Sequence, residues 1–126
     1  MQGVQRPLSP HLQVYRWGIT MWLSSLHRIT GLLLSAGAFA LAVWLIALAG
    51  GPQSYSRVQQ VFASGGFKVL LVAWTFCFFL HLANGVRHLA WDVGEGFDPK
   101  TIRASGWTVI VVAVLATAGF SWLAIL

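Results

Sequence analysis

The sequence predicts an all-α membrane protein, three transmembrane helices preceded by a short amphiphilic N-terminal segment. Three observations lead there. The chain has 126 residues, of which 57% are hydrophobic and only 9% charged, where a soluble domain carries roughly 25% charged residues. Its mean hydropathy is +0.72. Three apolar stretches, each of about twenty residues or more, alternate with polar connections and so match the thickness of a bilayer core. The expected division is an interfacial segment over residues 1–20 and a three-helix transmembrane domain over 21–126, with spans at about 21–48, 67–90 and 105–126.

The interfacial segment opens MQGVQRPLSPHLQVYRWG, without the short apolar core and small-residue cleavage site of a signal peptide. No cleavable targeting segment is expected. Ser9-Pro10 is a helix-start signal, a capping side chain followed by proline in the first turn. His11, Tyr15, Arg16 and Trp17 then suit a segment lying at the membrane surface or under a soluble partner.

The first span carries no charge after Arg28. Ser24, His27, Arg28, Gly31 and Ser35 follow helical spacing, so one stripe holds its strongly polar groups. Two readings stand side by side. Arg28 is a snorkelling anchor above a small-residue packing seam, or the stripe is the wall of a polar pocket that donates hydrogen bonds to a carbonyl-bearing ligand. Arginine brings donors that cannot lose their proton, and serine a rotatable donor one turn away. Gly50-Gly51-Pro52 ends the span, and residues 50–67 are expected to be a short polar connection.

The second span closes on HLANGVRHLAWD, His81 to Asp92. His81 and His88 stand seven positions apart, on one helix face and about 10 Å apart along the axis. Gly85 lies on that face between them. A histidine deep in an apolar span is costly and usually faces a partner or cofactor. His81 is accordingly a candidate haem axial ligand, with Gly85 leaving room for a flat macrocycle; the alternative is a histidine that hydrogen-bonds a neighbouring helix. Asn84, one turn from both histidines, is placed to orient an imidazole or to bond another helix. Cys77, the single cysteine, sits in the apolar run and is expected to be a small buried residue.

The second connection holds all three acids, Asp92, Glu95 and Asp98. A solvated turn at Asp98-Pro99 is expected there, not acid–base catalysis. The third span carries Gly106, Ala113, Thr117 and Gly119 but no cofactor ligand, and is taken as packing material.

Charge sets the orientation. Arg6, Arg16, Arg28, Arg87, Lys100 and Arg103 fall on one side, Arg57 and Lys68 on the other. The positive-inside rule puts the N-terminus in the cytoplasm. Trp17, Trp22, Trp91 and Trp107 then mark the inner boundary, and Trp44, Tyr55 and Trp122 the outer one. The net charge of +5 and the isoelectric point near 10.4 are explained by these boundary charges. No basic patch interleaved with aromatics points to nucleic acid. Antiparallel first and second spans bring His27, Arg28, His81 and His88 to one cytoplasmic end. The chain shows no GxxxxGK[ST], GxGxxG, CxxC or HExxH motif, so primary catalysis must come from a soluble partner.

Three blocks, RPLSPHLQVY (Arg6 to Tyr15), SSLHRITG (Ser24 to Gly31) and HLANGVRHLAWD, carry a resemblance. In this order they resemble the cytochrome b (b556) membrane-anchor subunits of succinate dehydrogenase, respiratory complex II, over the whole chain. The resemblance implies a heteromeric helix bundle. It implies His81 as an axial ligand of haem b, with the second ligand from a smaller membrane-anchor subunit. It further implies Ser24 and Arg28 at a ubiquinone pocket beside the iron-sulfur subunit, His27 and Arg28 near the haem propionates, and His88 near the haem edge. Ser25 stands next to Ser24, and the one-turn spacing to Arg28 favours Ser24 for the quinone. The flavoprotein subunit would join through the iron-sulfur subunit. The expected location is the bacterial cytoplasmic membrane, with the mitochondrial inner membrane as the alternative. Competing readings are a haem-b quinol-oxidising anchor of the fumarate reductase or formate dehydrogenase type, and a cofactor-free structural anchor.

Overall fold

A computed structural model of the chain describes residues 14–125. The helix start at Ser9-Pro10, His11 and Arg6 lie outside the described residues. Four helices follow in order: α1 (Ile19–Ala49), α2 (Pro52–Phe62), α3 (Gly65–Asp92) and α4 (Pro99–Ala124). Helices α1, α3 and α4 are each long and apolar enough to cross a bilayer. The chain is an all-α membrane protein. Tyr15 to Gly18 precede α1 without regular structure and are exposed.

Each helix boundary has a local cause. Gly51, at φ 89°, turns the chain between α1 and α2, and Pro52 sits in the first turn of α2, where its missing N–H costs nothing. Ser64 caps α3, its hydroxyl oxygen accepting from the Phe67 N–H. Gly94 and Gly96, both at positive φ, release the chain from α3. The Asp98 carboxylate then caps α4, accepting from the N–H groups of Lys100 at 3.1 Å and Thr101 at 3.0 Å. The Asp98-Pro99 turn is therefore the start of a helix, and α4 begins six residues before the apolar stretch expected from residue 105.

The connection expected over 50–67 contains α2. Most of its residues are polar, so its few apolar positions escape a search for long apolar runs. Tyr55, Val58 and Phe62 nevertheless share one face by their i, i+3, i+7 spacing and are the less exposed side of α2. Tyr55 meets Trp44 edge-on, and Phe62 stacks on Phe67.

The core is small: Leu23, Leu80, Val109 and Ala113 are buried, with Ile19, Leu26, Phe79, Ala83 and Ile110 packed against them. Helix α1 crosses α4 at Gly106, where a Cβ would come within 3.2 Å of Ile19 and 3.4 Å of Leu23. The buried stripe of α4 is Gly106, Val109, Ala113, Thr117 and Ser121. Gly119, expected among the packing residues, is exposed with nothing near it. Trp74 lies against α1, its indole N–H donating to the Leu33 carbonyl at 2.9 Å. A Cβ on Gly37 would overlap that indole. Many large apolar side chains on all three long helices remain exposed, as lipid or further helices require. Cys77 is partly buried and free.

Candidate functional site

The facing halves of α1 and α3 hold a ladder of rings. His81 and His27 lie flat on one another, centroids 3.8 Å apart and planes at 8°. His27 meets His88 at 5.2 Å and 57°, and His88 stacks on Trp91 at 5.2 Å and 23°. Both α3 histidines thus face α1, as their seven-residue spacing requires. Among the described residues, no group of three or more His, Cys, Asp or Glu side chains is set to hold a metal ion.

His81 is seated on one turn of α1. Its Nδ1 lies 3.1 Å from the His27 carbonyl oxygen and 3.2 Å from Thr30 Oγ1. Beneath the ring is Gly31, where a Cβ would approach His81 Cε1 to 3.2 Å. Nε2 makes no hydrogen bond among the described residues. Gly85, by contrast, faces His27, and a Cβ there would meet His27 Cε1 at an ordinary 3.9 Å. Gly31 is the tighter of the two glycines.

The polar stripe of α1 divides. His27 turns into the helix interface, while Arg28, about 100° further round the helix, is exposed. Ser24, Ser25 and Gly31 are partly exposed and Ser35 is exposed. Ser24 and Arg28 therefore share a face open to lipid or to another subunit, and His27 and Thr30 form the adjoining, inward face that meets His81. The two groups stand on neighbouring sides of one helical turn. Thr30, only 3% exposed, is a site residue that does not stand out among the strongly polar groups of the sequence. Its place in SSLHRITG, one turn after Leu26 and beside Gly31, was the available signal.

Two further side chains fix α3 at this end. Asn84, 1% exposed, donates from Nδ2 to the Leu23 carbonyl at 3.4 Å, so it bonds the neighbouring helix and not an imidazole. Arg87 is 6% exposed and reaches α4, donating from Nε to Ser105 Oγ at 3.0 Å and from Nη2 to the Ile102 carbonyl at 3.1 Å. Its guanidinium carbon sits 4.1 Å above the Trp91 ring centroid, a cation–π contact. His27 Nδ1, His88 Nδ1 and Arg87 Nη1 are buried without a hydrogen-bond partner among the described residues. A cavity of about 320 Å³ opens beside Arg87 between α3 and α4, lined also by Trp91, Glu95, Thr101 and Ser105. A larger apolar cavity of about 760 Å³ lies toward the opposite end, among Gly37, Trp44, Phe67, Trp74 and Phe120. Of the three acids, Asp92 is the exposed last residue of α3, Glu95 is exposed in the second connection and Asp98 is occupied as a cap.

Known proteins share this plan. The family described as succinate dehydrogenase/fumarate reductase transmembrane subunit matches residues 2–120. The succinate dehydrogenase cytochrome b556 subunit of Rickettsia felis is 42% identical over 114 residues, 90% of this chain and 88% of the relative. The corresponding subunit of Rickettsia bellii is 40% identical over 113 residues, again 90% and 88%. The mitochondrial succinate dehydrogenase cytochrome b560 subunit of Homo sapiens is 36% identical over 121 residues, 94% of this chain and 72% of the relative. With three apolar helices and similarity over nine-tenths of its length, the chain belongs to the succinate dehydrogenase/fumarate reductase transmembrane subunit family.

Proposed function

We propose that this chain is the cytochrome b membrane-anchor subunit of a succinate dehydrogenase, co-ligating haem b through His81 and forming part of the ubiquinone-reduction site with Ser24 and Arg28. The observation that carries the reading is the seat of His81. Its Nδ1 is engaged by the His27 carbonyl, which can only accept a proton. The ring therefore keeps its proton on Nδ1 and a lone pair on Nε2, the state an iron ligand needs. The residues present fit a haem in a second respect. His27 Nδ1, His88 Nδ1 and Arg87 Nη1 are polar atoms buried without partners at the same end, and a macrocycle bearing carboxylates offers acceptors to such groups. Gly85 stands between His81 and His88 without a side chain to obstruct it.

His81 would hold the haem together with a ligand from the smaller anchor subunit, and the group would supply a one-electron carrier there. The residues of this chain do the rest of its work. Arg28 and Ser24 hold the quinone headgroup on the face of α1 open to a partner, and donate to its oxygens as negative charge develops there. Electrons arrive from the iron-sulfur subunit, which takes them from the flavoprotein. Protons come from water or from a partner, because the three carboxylates lie between the last residue of α3 and the first turn of α4, and one of them is a helix cap. The boundary charges and aromatics support an N-terminus on the cytoplasmic side of a bacterial inner membrane. The names of the relatives favour succinate oxidation over the fumarate-reducing direction.

The test is an absorption spectrum of the reduced, purified complex. A low-spin b-type spectrum that disappears in His81→Ala while all subunits co-purify is the expected result. A spectrum unchanged in that variant would remove His81 from the haem and leave the chain a structural anchor.

A further inference from the structure

Thr30 is nearly fully buried on the face of α1 that receives His81. Its Oγ1 has three polar neighbours: the Leu26 carbonyl at 2.8 Å, the His27 carbonyl at 3.1 Å and His81 Nδ1 at 3.2 Å. A hydroxyl has one proton and two lone pairs. Carbonyl oxygens only accept, so that proton goes back along the helix, to Leu26 at the shortest distance. The lone pairs of Oγ1 are left facing Nδ1. The His27 carbonyl, 3.1 Å from the same nitrogen, also has only lone pairs to offer. Both neighbours accept, and one Nδ1–H shared between two acceptors is a familiar three-centre arrangement.

A threonine in a helix often bonds its i−4 carbonyl with no further consequence. Here the surroundings give the bond a second use. Its β-branched side chain is stiff in a helix, the back-bond to Leu26 holds the hydroxyl, and the ring it meets is confined on two other sides. The His27 imidazole covers one face at 3.8 Å, and Gly31 admits the Cε1 edge at a distance a Cβ would contest.

From this we infer that Thr30 is a positioning residue for His81: its hydroxyl, with the His27 carbonyl, holds the proton on Nδ1 and presents Nε2 in a fixed orientation. The inference rests on the haem reading given above. An acceptor on the far nitrogen makes an imidazole a stronger donor to a metal, which favours the oxidised iron. Loss of one of two acceptors should therefore raise the haem reduction potential.

The experiment uses the purified complex with Thr30→Val, which keeps the shape and removes the hydroxyl, and Thr30→Ser, which keeps the hydroxyl. Haem per flavin, the spectrum and the haem midpoint potential are read in each. The expected result is an upward shift of potential in Thr30→Val, or partial loss of haem, with Thr30→Ser near the parent. Haem retained at an unshifted potential in Thr30→Val overturns the assignment while leaving His81 as ligand untouched. Equal loss of haem in both variants also overturns it, because packing and not the hydroxyl would then be at issue. A parent complex without haem overturns this inference and the proposed function together.

Discussion

The imidazoles of His27 and His81, from antiparallel helices, lie parallel within 8° at a centroid distance of 3.8 Å. The two histidines nonetheless serve different ends of the same contact. The side chain of His27 covers the ring of His81, whereas the backbone carbonyl of His27 bonds its Nδ1. Substituting the side chain leaves the carbonyl in place. His27→Ala also removes the buried Nδ1 offered to a haem carboxylate. Haem content should therefore fall in part while the haem that remains keeps a low-spin spectrum, and the α1–α3 contact should weaken by about 1 kcal/mol, the worth of an aromatic pair. Haem content and thermal inactivation of the purified complex check this. Haem lost from His27→Ala as fully as from His81→Ala would contradict the division of labour.

Arg28 lies one residue on from His27 but on the exposed side of α1. Its removal should spare the helix interface and strike only what binds outside it. In Arg28→Leu, quinone reduction should fall on the order of a hundredfold, as for other donors aimed at developing negative charge. Succinate oxidation with an artificial acceptor should persist. Loss of both activities together would place Arg28 in assembly.

Two glycines on the long helices separate a packing role from a ligand role. A Cβ on Gly37 would overlap Trp74, so Gly37→Ala should cost about 1–3 kcal/mol by overpacking and shorten the half-life of the complex on heating. At Gly85 the same Cβ meets only His27 at 3.9 Å. Gly85→Ala should leave thermal behaviour close to the parent but lower haem content. A Gly85→Ala complex with full haem would show that no macrocycle passes there.

Asp98 offers a pH test outside the spans. The Thr101 hydroxyl, then the backbone N–H groups of Thr101 and Lys100, hold its carboxyl below the usual carboxylate range. A depressed folded-state value means that the cap stabilises α4 above the unfolded pKa of about 3.9 and loses that effect as pH falls through the lower folded value. Asp98→Ala should be less heat-stable than the parent at pH 7, and the gap should close as the pH is taken below the carboxylate range. A gap that stays constant through that range would mean the carboxylate is not the cap.

The spans were legible because each is a long apolar run, and the shared face of His81 and His88 because helical spacing alone sets it. Helix α2 was not, since its three inward side chains are spread among polar ones and its stability comes from Pro52, Trp44 and Phe67. The α1 stripe was legible only as composition. Periodicity could group Ser24, His27 and Arg28, but which side of the stripe met α3 depended on where Leu23 and Leu26 packed. Thr30 escaped because a hydroxyl in an apolar run reads as neutral, and its partner is 51 residues away. By sequence Arg87 is a boundary charge, and nothing local shows that Ser105 and Ile102, on the next helix, take its donors.

That clasp makes the strongest structural prediction. Arg87 gives two hydrogen bonds to α4 from different guanidinium nitrogens while lying over Trp91, and only a planar fork can do all three at once. Lysine keeps the charge but satisfies at most part of this set. Hydrogen bonds from a charged group contribute about 1.5–3 kcal/mol, so Arg87→Lys should lower the stability of the complex by roughly that amount. Ser105→Ala removes one acceptor and should cost about 1 kcal/mol. Because the two share a bond, the double variant should be less damaged than the sum of the singles. Thermal inactivation of the four forms gives the comparison. Strict additivity would show that Arg87 and Ser105 act independently, and the Ile102 carbonyl would then be the acceptor that ties Arg87 to α4.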